Sequence, residues 1–76
     1  MFKIATKKGK LVVIFSNEKA EEMQYALRVI KVYGKIKKKT RKNGKKRIYT
    51  NIPKKYKELM KEEIRMLLEL HREEKY

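Results

Sequence analysis

Residues 35–57 set the terms for the whole chain: twelve of these 23 residues are Lys or Arg and none is Asp or Glu. The cations are Lys35, Lys37, Lys38, Lys39, Arg41, Lys42, Lys45, Lys46, Arg47, Lys54, Lys55 and Lys57, interleaved with Ile36, Ile48, Tyr49, Ile52 and Tyr56. A solvated arm would lack β-branched and aromatic residues at strand-like spacing, so the segment is expected to fold. Folding holds like charges near one another at an electrostatic cost. A fold that bears this cost is expected to have an anion to meet.

The remaining sequence narrows the choice of anion. With 76 residues the chain can build one domain, 1–76, around one modest core. It has no cysteine, which excludes disulfides, thiolate zinc sites and cysteine nucleophiles and suits an intracellular, cytoplasmic protein. No apolar run approaches the roughly 18–20 residues that span a bilayer, and Met1 leads into a strand-like pattern rather than a signal peptide, so no membrane partner is expected. The net charge is +14, and it is local: residues 1–16 carry four positive charges, 17–34 balance three against three, and 58–76 carry four positive against six negative. Charge gathered in one segment is the mark of a polyanion-binding face rather than of a general solubility surface. Lys outnumbers Arg by 18 to 5, and a chain rich in Lys, Glu and Ile leans towards a thermophile-like composition.

Taken in order, Phe2, Ile4 and Thr6 alternate with Lys3, Ala5 and Lys7, which predicts a half-buried strand, and Lys8-Gly9 supplies a turn. The run Leu11 to Phe15 is apolar on both faces and is expected to be a central strand. Asn17 is placed to cap a first helix over 17–33, with Glu18, Glu21 and Glu22 at the positive end of its dipole. Ala20, Met23, Leu27 and Ile30 form its apolar stripe, widened by Ala26 and Val29, and Gly34 stands where a left-handed cap belongs. Two basic strands, 35–40 and 46–52, then flank Arg41-Lys42-Asn43-Gly44, an Asn-Gly hairpin signal. Strict alternation puts Ile48, Thr50 and Ile52 on one face of this hairpin with Ile36, Lys38 and Thr40, leaving Lys35, Lys37, Lys39, Arg47, Tyr49 and Asn51 on the other. Pro53 fits the first turn of a second helix from 53 to about 73, whose stripe is Tyr56, Leu59, Met60, Glu63, Ile64, Leu67, Leu68 and His71. Met66 and Leu70 lie off that stripe, and this surplus of apolar surface either broadens the core-facing side or covers a homodimer contact through residues 53–73. The order ββαββα predicts an α+β domain, a four-stranded antiparallel sheet with both helices on one face.

Catalytic chemistry is thinly supplied. The chain has no Asp, and its nine Glu residues all lie in the two predicted helices, away from the basic hairpin. Two-metal hydrolysis needs carboxylates gathered at one point, and Glu62-Glu63 and Glu73-Glu74 read as solvated helix pairs. His71 is the one histidine and sits near a helix C-terminus, Ser16 has no activating His beside it, and the three glycines fall at turns rather than in a phosphate-binding loop. No catalytic residue, metal ligand or cofactor is assigned. The basic hairpin carries the strong signal: Lys and Arg neutralise phosphates and release counterions. Candidate nucleic-acid contacts are Lys35, Lys37, Lys39, Arg41, Lys42, Lys45, Lys46, Arg47, Tyr49 and Asn51. Arg41 and Arg47 can bond bidentately to guanine and Asn51 to adenine if the ribbon enters a major groove. Tyr49 either stacks on an unpaired base or packs across strands.

From about Lys10 to Leu70, the run Leu11-Val12-Val13-Ile14-Phe15-Ser16-Asn17-Glu18 leading into an amphipathic helix and then a basic Asn-Gly hairpin resembles the later part of a LAGLIDADG homing endonuclease half. In that family a curved antiparallel sheet lies along the DNA major groove. The resemblance implies that Lys35, Lys37, Lys39, Arg47, Tyr49 and Asn51 lie on the DNA-contacting ribbon. The family's signature helix, with its catalytic acidic residue and dimer seam, would precede Phe2 and is not in this sequence. The resemblance therefore implies binding without cleavage.

The sequence thus predicts a non-catalytic nucleic-acid-binding protein, with duplex DNA ahead of RNA. An RNA-binding, ribosome-associated module is the alternative. A small ribonuclease or toxin using Tyr49, Arg47 or His71 and a module docking an acidic protein rank below them.

Overall fold

The structure, a computed structural model, describes residues 2–16 and 18–73. Its elements are β1 (Phe2–Lys7), β2 (Lys10–Phe15), α1 (Ala20–Tyr33), β3 (Ile36–Lys42), β4 (Lys45–Pro53), a 3₁₀ turn at Lys54–Tyr56, and α2 (Lys57–Glu73). The strands form one antiparallel sheet in the order β1-β2-β4-β3. The expected ββαββα domain is therefore what forms, and the doubly apolar run is central. Both hairpins close through two residues at positive φ, Lys8 (53°) with Gly9 (77°) and Asn43 (53°) with Gly44 (74°). That backbone matches the right-handed twist of paired strands.

Burial shows where the core lies. Leu11, Val13 and Phe15 of β2 and Ile48 and Ile52 of β4 meet Ala26, Val29 and Ile30 of α1 and Met60, Ile64 and Leu68 of α2, with Ile4 at the β1 edge. Both helices therefore pack on one face of the sheet. The α1 stripe is rotated from the expected one: Glu22, Ala26, Val29 and Ile30 are buried, Met23 and Leu27 are half-buried and Ala20 is exposed. Leu59 is corrected likewise, being 56% exposed. With Met66 and Leu70 it forms a line on the outer side of α2, at spacings of seven and eleven residues, because the core-facing direction is set by Met60, Ile64 and Leu68.

Three boundaries also differ from expectation. The cap expected of Asn17 lies outside the described residues, as does Glu74. Helix α1 begins at Ala20, where the Glu22 carboxylate reaches back to accept the Lys19 N–H at 3.2 Å. Pro53 closes β4 with extended backbone, and the chain enters α2 through the 3₁₀ turn, anchored by the Lys54 N–H donating to the Gly9 carbonyl at 3.0 Å. Gly34 is extended (φ 179°) rather than left-handed. It is glycine for lack of room: a Cβ there would lie 2.6 Å from Asn51 Oδ1 and 2.7 Å from Ile52 Cγ1.

The helices are joined by polar contacts along their length. Tyr33 donates to Glu63, His71 Nε2 lies 3.3 Å from Glu21 Oε2, and the His71 ring packs on Tyr25 with centroids 4.7 Å apart. Glu22, though buried, also accepts Arg72 Nε at 2.9 Å. Burial raises the pKa of its carboxyl, but the Lys19 N–H and the Arg72 guanidinium together outweigh burial and hold it below the ordinary value.

Two predictions follow from this packing. Gly34→Ala is expected to cost about 1–3 kcal/mol through overpacking against β4, seen as a lower melting temperature, and an unchanged melt would contradict the close approach. Because the Glu22 pKa is lower folded than unfolded, its contribution is present above the ordinary Glu range near about pH 4.3 and is lost as pH falls through the folded value. Glu22→Gln is accordingly expected to cost about 1 kcal/mol at neutral pH. Its melting deficit should shrink on acidification below about pH 4, and a deficit independent of pH would show that the charge is not its source.

Candidate nucleic-acid interface

The face of the sheet turned away from the helices can be reconstructed from register, since directly opposed residues in antiparallel strands share a face. Val13 lies opposite Ile48, both in the core, so their neighbours point the other way. One row across the sheet is Lys3, Ile14, Arg47 and Thr40. The next is Ala5, Val12, Tyr49 and Lys38. Lys7 opposite Lys10 closes one end beside the first turn, and Lys42 opposite Lys45 closes the other beside the second.

This arrangement corrects the phase expected for β3. Ile36 pairs with Thr50, but Lys38 pairs with Tyr49, so β3 holds one extra residue, Lys37, as a bulge. Beyond the bulge every side chain changes face: Lys38, Thr40 and Lys42 join the open face, whereas Lys39 (opposite Ile48) and Arg41 (opposite Lys46) take the helix side. Of the expected contacts, Lys42, Lys45, Arg47 and Tyr49 are on the open face, Lys37 is at the bulge, and Lys39, Arg41 and Lys46 are on the other side of the hairpin. Lys35 lies just before β3, with its N–H donating to Asn51 Oδ1 at 2.8 Å and its carbonyl accepting the Asn51 N–H at 3.1 Å. That contact commits the Asn51 carboxamide oxygen to the backbone, where bidentate recognition of adenine would require it free.

Thr50 supports a second irregularity. Between Val12 opposite Tyr49 and Lys10 opposite Pro53, β4 advances two residues further than β2. Thr50 spans the gap: its buried hydroxyl donates to the Leu11 carbonyl at 2.8 Å and accepts the Ile52 N–H at 3.1 Å. Two polar groups that the irregular ladder would orphan are thereby satisfied.

The sequence reading missed Lys3, Lys7, Lys8, Lys10 and Lys38. Lys3 and Lys7 were legible, since they alternate with the buried Ile4 and belong to a strand beside the central one. Around Tyr49, Lys7, Lys8, Lys10, Lys37 and Lys38 wall a groove of about 430 Å³ that Val12 also lines. The ammonium groups of Lys7 and Lys38 lie 5.5 and 5.6 Å from the Tyr49 ring centroid. Val12 is only 5% exposed although no helix covers it, as expected where long lysine stems lie over an apolar residue.

Charge is sorted by layer. No strand contains a carboxylate. The ion pairs between described residues, Arg65 with Glu62 and Glu69, Arg72 with Glu22, and His71 with Glu21, all lie in the helical layer. A second concavity of about 310 Å³, between α2 and Phe2, mixes Lys61, Arg65 and Arg72 with Glu18 and Glu69 and so lacks a single sign of charge. His71 is in the helical layer, across the core from Arg47 and Tyr49. No group of three or more acidic or histidine side chains among the described residues could hold a metal ion, and no helix is long and apolar enough to cross a membrane. No protein-family model, curated protein or solved structure matches this chain.

Proposed function

We propose that this protein binds nucleic acid without cleaving it, laying its open sheet face and the β3–β4 ribbon along duplex DNA. One observation carries the reading: among the described residues no strand Lys or Arg is paired with a carboxylate, while the helical cations Arg65 and Arg72 are. An unneutralised face keeps its full field for phosphates. The nine residues of β4 extend about 30 Å, which matches about nine base-pair steps of duplex, and a two-stranded ribbon fits a major groove about 12 Å wide. The LAGLIDADG resemblance leads to the same reading, with Lys38 and Lys42 joining Arg47 and Tyr49 on the open face in place of Lys35, Lys37, Lys39 and Asn51. Cleavage is not part of the proposal, because among the described residues the face offers no carboxylate and the only histidine of the sequence lies across the core. The absence of cysteine favours the cytoplasm as its place of work.

Binding to labelled duplex DNA, single-stranded DNA and structured RNA across a salt series tests this. Contacts to about six phosphates give a log–log salt slope near about −5 for duplex. Replacing Lys38, Lys42 and Arg47 by Gln should flatten the slope by about 3 and weaken binding of every duplex sequence alike. The matched replacement of Lys39, Arg41 and Lys46, on the other side of the hairpin, should have a smaller effect. Equal losses in the two triple variants would refute the face assignment, and duplex affinity that is insensitive to salt would refute the function.

A further inference from the structure

Tyr49 stands out on a face otherwise built for charge. Its sequence neighbours Ile48 and Thr50 point into the buried side, whereas its own ring is half-buried on the open side. Its hydroxyl makes no hydrogen bond among the described residues. A β-branched residue would satisfy the packing need above Val12, so the aromatic ring itself is left unexplained by the fold. Lysines from opposite edges of the sheet, Lys7 of β1 and Lys38 of β3, converge on that ring. At the rim Lys8 holds a left-handed backbone (φ 53°), a position that Asn or Gly occupies at less cost, and so adds a further cation to the groove.

From this geometry we infer that the groove stacks one unpaired base on Tyr49, so that the preferred ligand is a nucleic acid in which a duplex runs into an unpaired strand. The inference rests on the nucleic-acid reading of the open face and adds the class of ligand. A base inside a duplex has both faces covered by its neighbours and cannot enter a concavity to meet a ring. An unpaired base can, and its flanking phosphates then lie within reach of the lysines that now rest on the ring. The two exposed cation–π contacts given up together shift an equilibrium by about four- to 25-fold, which a stacked base, at about five- to 150-fold, offsets. The displaced ammonium groups also gain phosphates as partners. Along β4, Tyr49 lies four residues from Lys45, about 13 Å, so on such a ligand the duplex takes the Lys42–Lys45 end, about four of the roughly nine base-pair steps that β4 spans on continuous duplex.

The test compares a blunt duplex with the same duplex carrying a single-stranded overhang, at equal salt. The wild-type protein should prefer the overhang substrate by about five- to 150-fold. Tyr49→Leu, which keeps an apolar contact over Val12, should weaken overhang binding at least about fivefold more than blunt-duplex binding, and Tyr49→Phe should retain the preference. Tyr49→Trp introduces the only tryptophan of the chain. Its fluorescence should be quenched by the overhang substrate and not by the blunt duplex. Equal wild-type affinity for the two substrates, or a preference that survives in Tyr49→Leu, would overturn the stacking inference while blunt-duplex binding left the broader function standing. Failure to bind either substrate at low salt would overturn both.

Discussion

The register of β4 between β2 and β3 is the constraint on which the rest of this molecule depends. Ile48, Thr50 and Ile52 reach the core only in that register, and a slip of one residue would exchange them for Arg47, Tyr49 and Asn51. Three hydrogen-bonded devices hold it. The Thr50 hydroxyl joins Leu11 to Ile52, the Asn51 carboxamide and backbone tie β4 to Lys35, and the Lys54 N–H bonds to Gly9 where the strand ends. Gly34 belongs to the same arrangement, because any side chain there would press on Asn51 and Ile52. These contacts all lie at the end of β4 remote from the Asn43-Gly44 turn, so the hairpin is fixed at its base and by its turn, and the basic stretch between them needs little specification of its own.

That division of labour suits a strand made almost wholly of cations. Strand β3 has one apolar residue, Ile36, and five Lys or Arg among its seven. Such a strand contributes little burial, and neighbouring charges within the Debye length of about 8 Å at physiological salt repel. Its pairing is maintained by β4, which is buried at alternate positions, and by the backbone ladder. The bulge at Lys37 also helps, since it lets Ile36 face the core while Lys38 faces away, a combination that two residues at even spacing cannot otherwise achieve.

The general architecture was legible because each of its signals is local. Alternation marked β1, an unbroken apolar run marked β2, Asn-Gly marked the second turn, and the three- and four-residue spacing of Met60, Ile64 and Leu68 marked α2. What escaped the sequence depended on contacts between distant residues. The Lys37 bulge left no trace, because a run of lysines has no apolar member after Ile36 to show that the phase has changed. Gly34 has the position of a helix cap and the reason of a packing site, and only its distance from Asn51 separates the two. Leu59 fits the helical period, yet its side of α2 turns outward. The candidate site was half legible for the same reason: residues clustered in sequence at 35–57 were found, while Lys3, Lys7 and Lys10 are brought there by β1 and β2.

The sorting of charge by layer links the fold to the proposed function. In the helical layer a buried carboxylate such as Glu22 requires the Lys19 N–H and the Arg72 guanidinium, and the outer surface is braced by Arg65 between Glu62 and Glu69. Carboxylates set among the strand lysines would relieve the repulsion there, and each would also cancel part of the positive field that the proposed binding of phosphates needs. The strands contain none. Stability is left to the core and to the polar contacts at the base of β4, so the open face can retain charge at a moderate energetic cost. On that face the one aromatic ring among the described residues is set where lysines from both edges of the sheet meet. A surface meant only to attract polyanions has no use for such a ring among its lysines, and this is why the groove over Tyr49 argues for a ligand with a base to offer as well as phosphates.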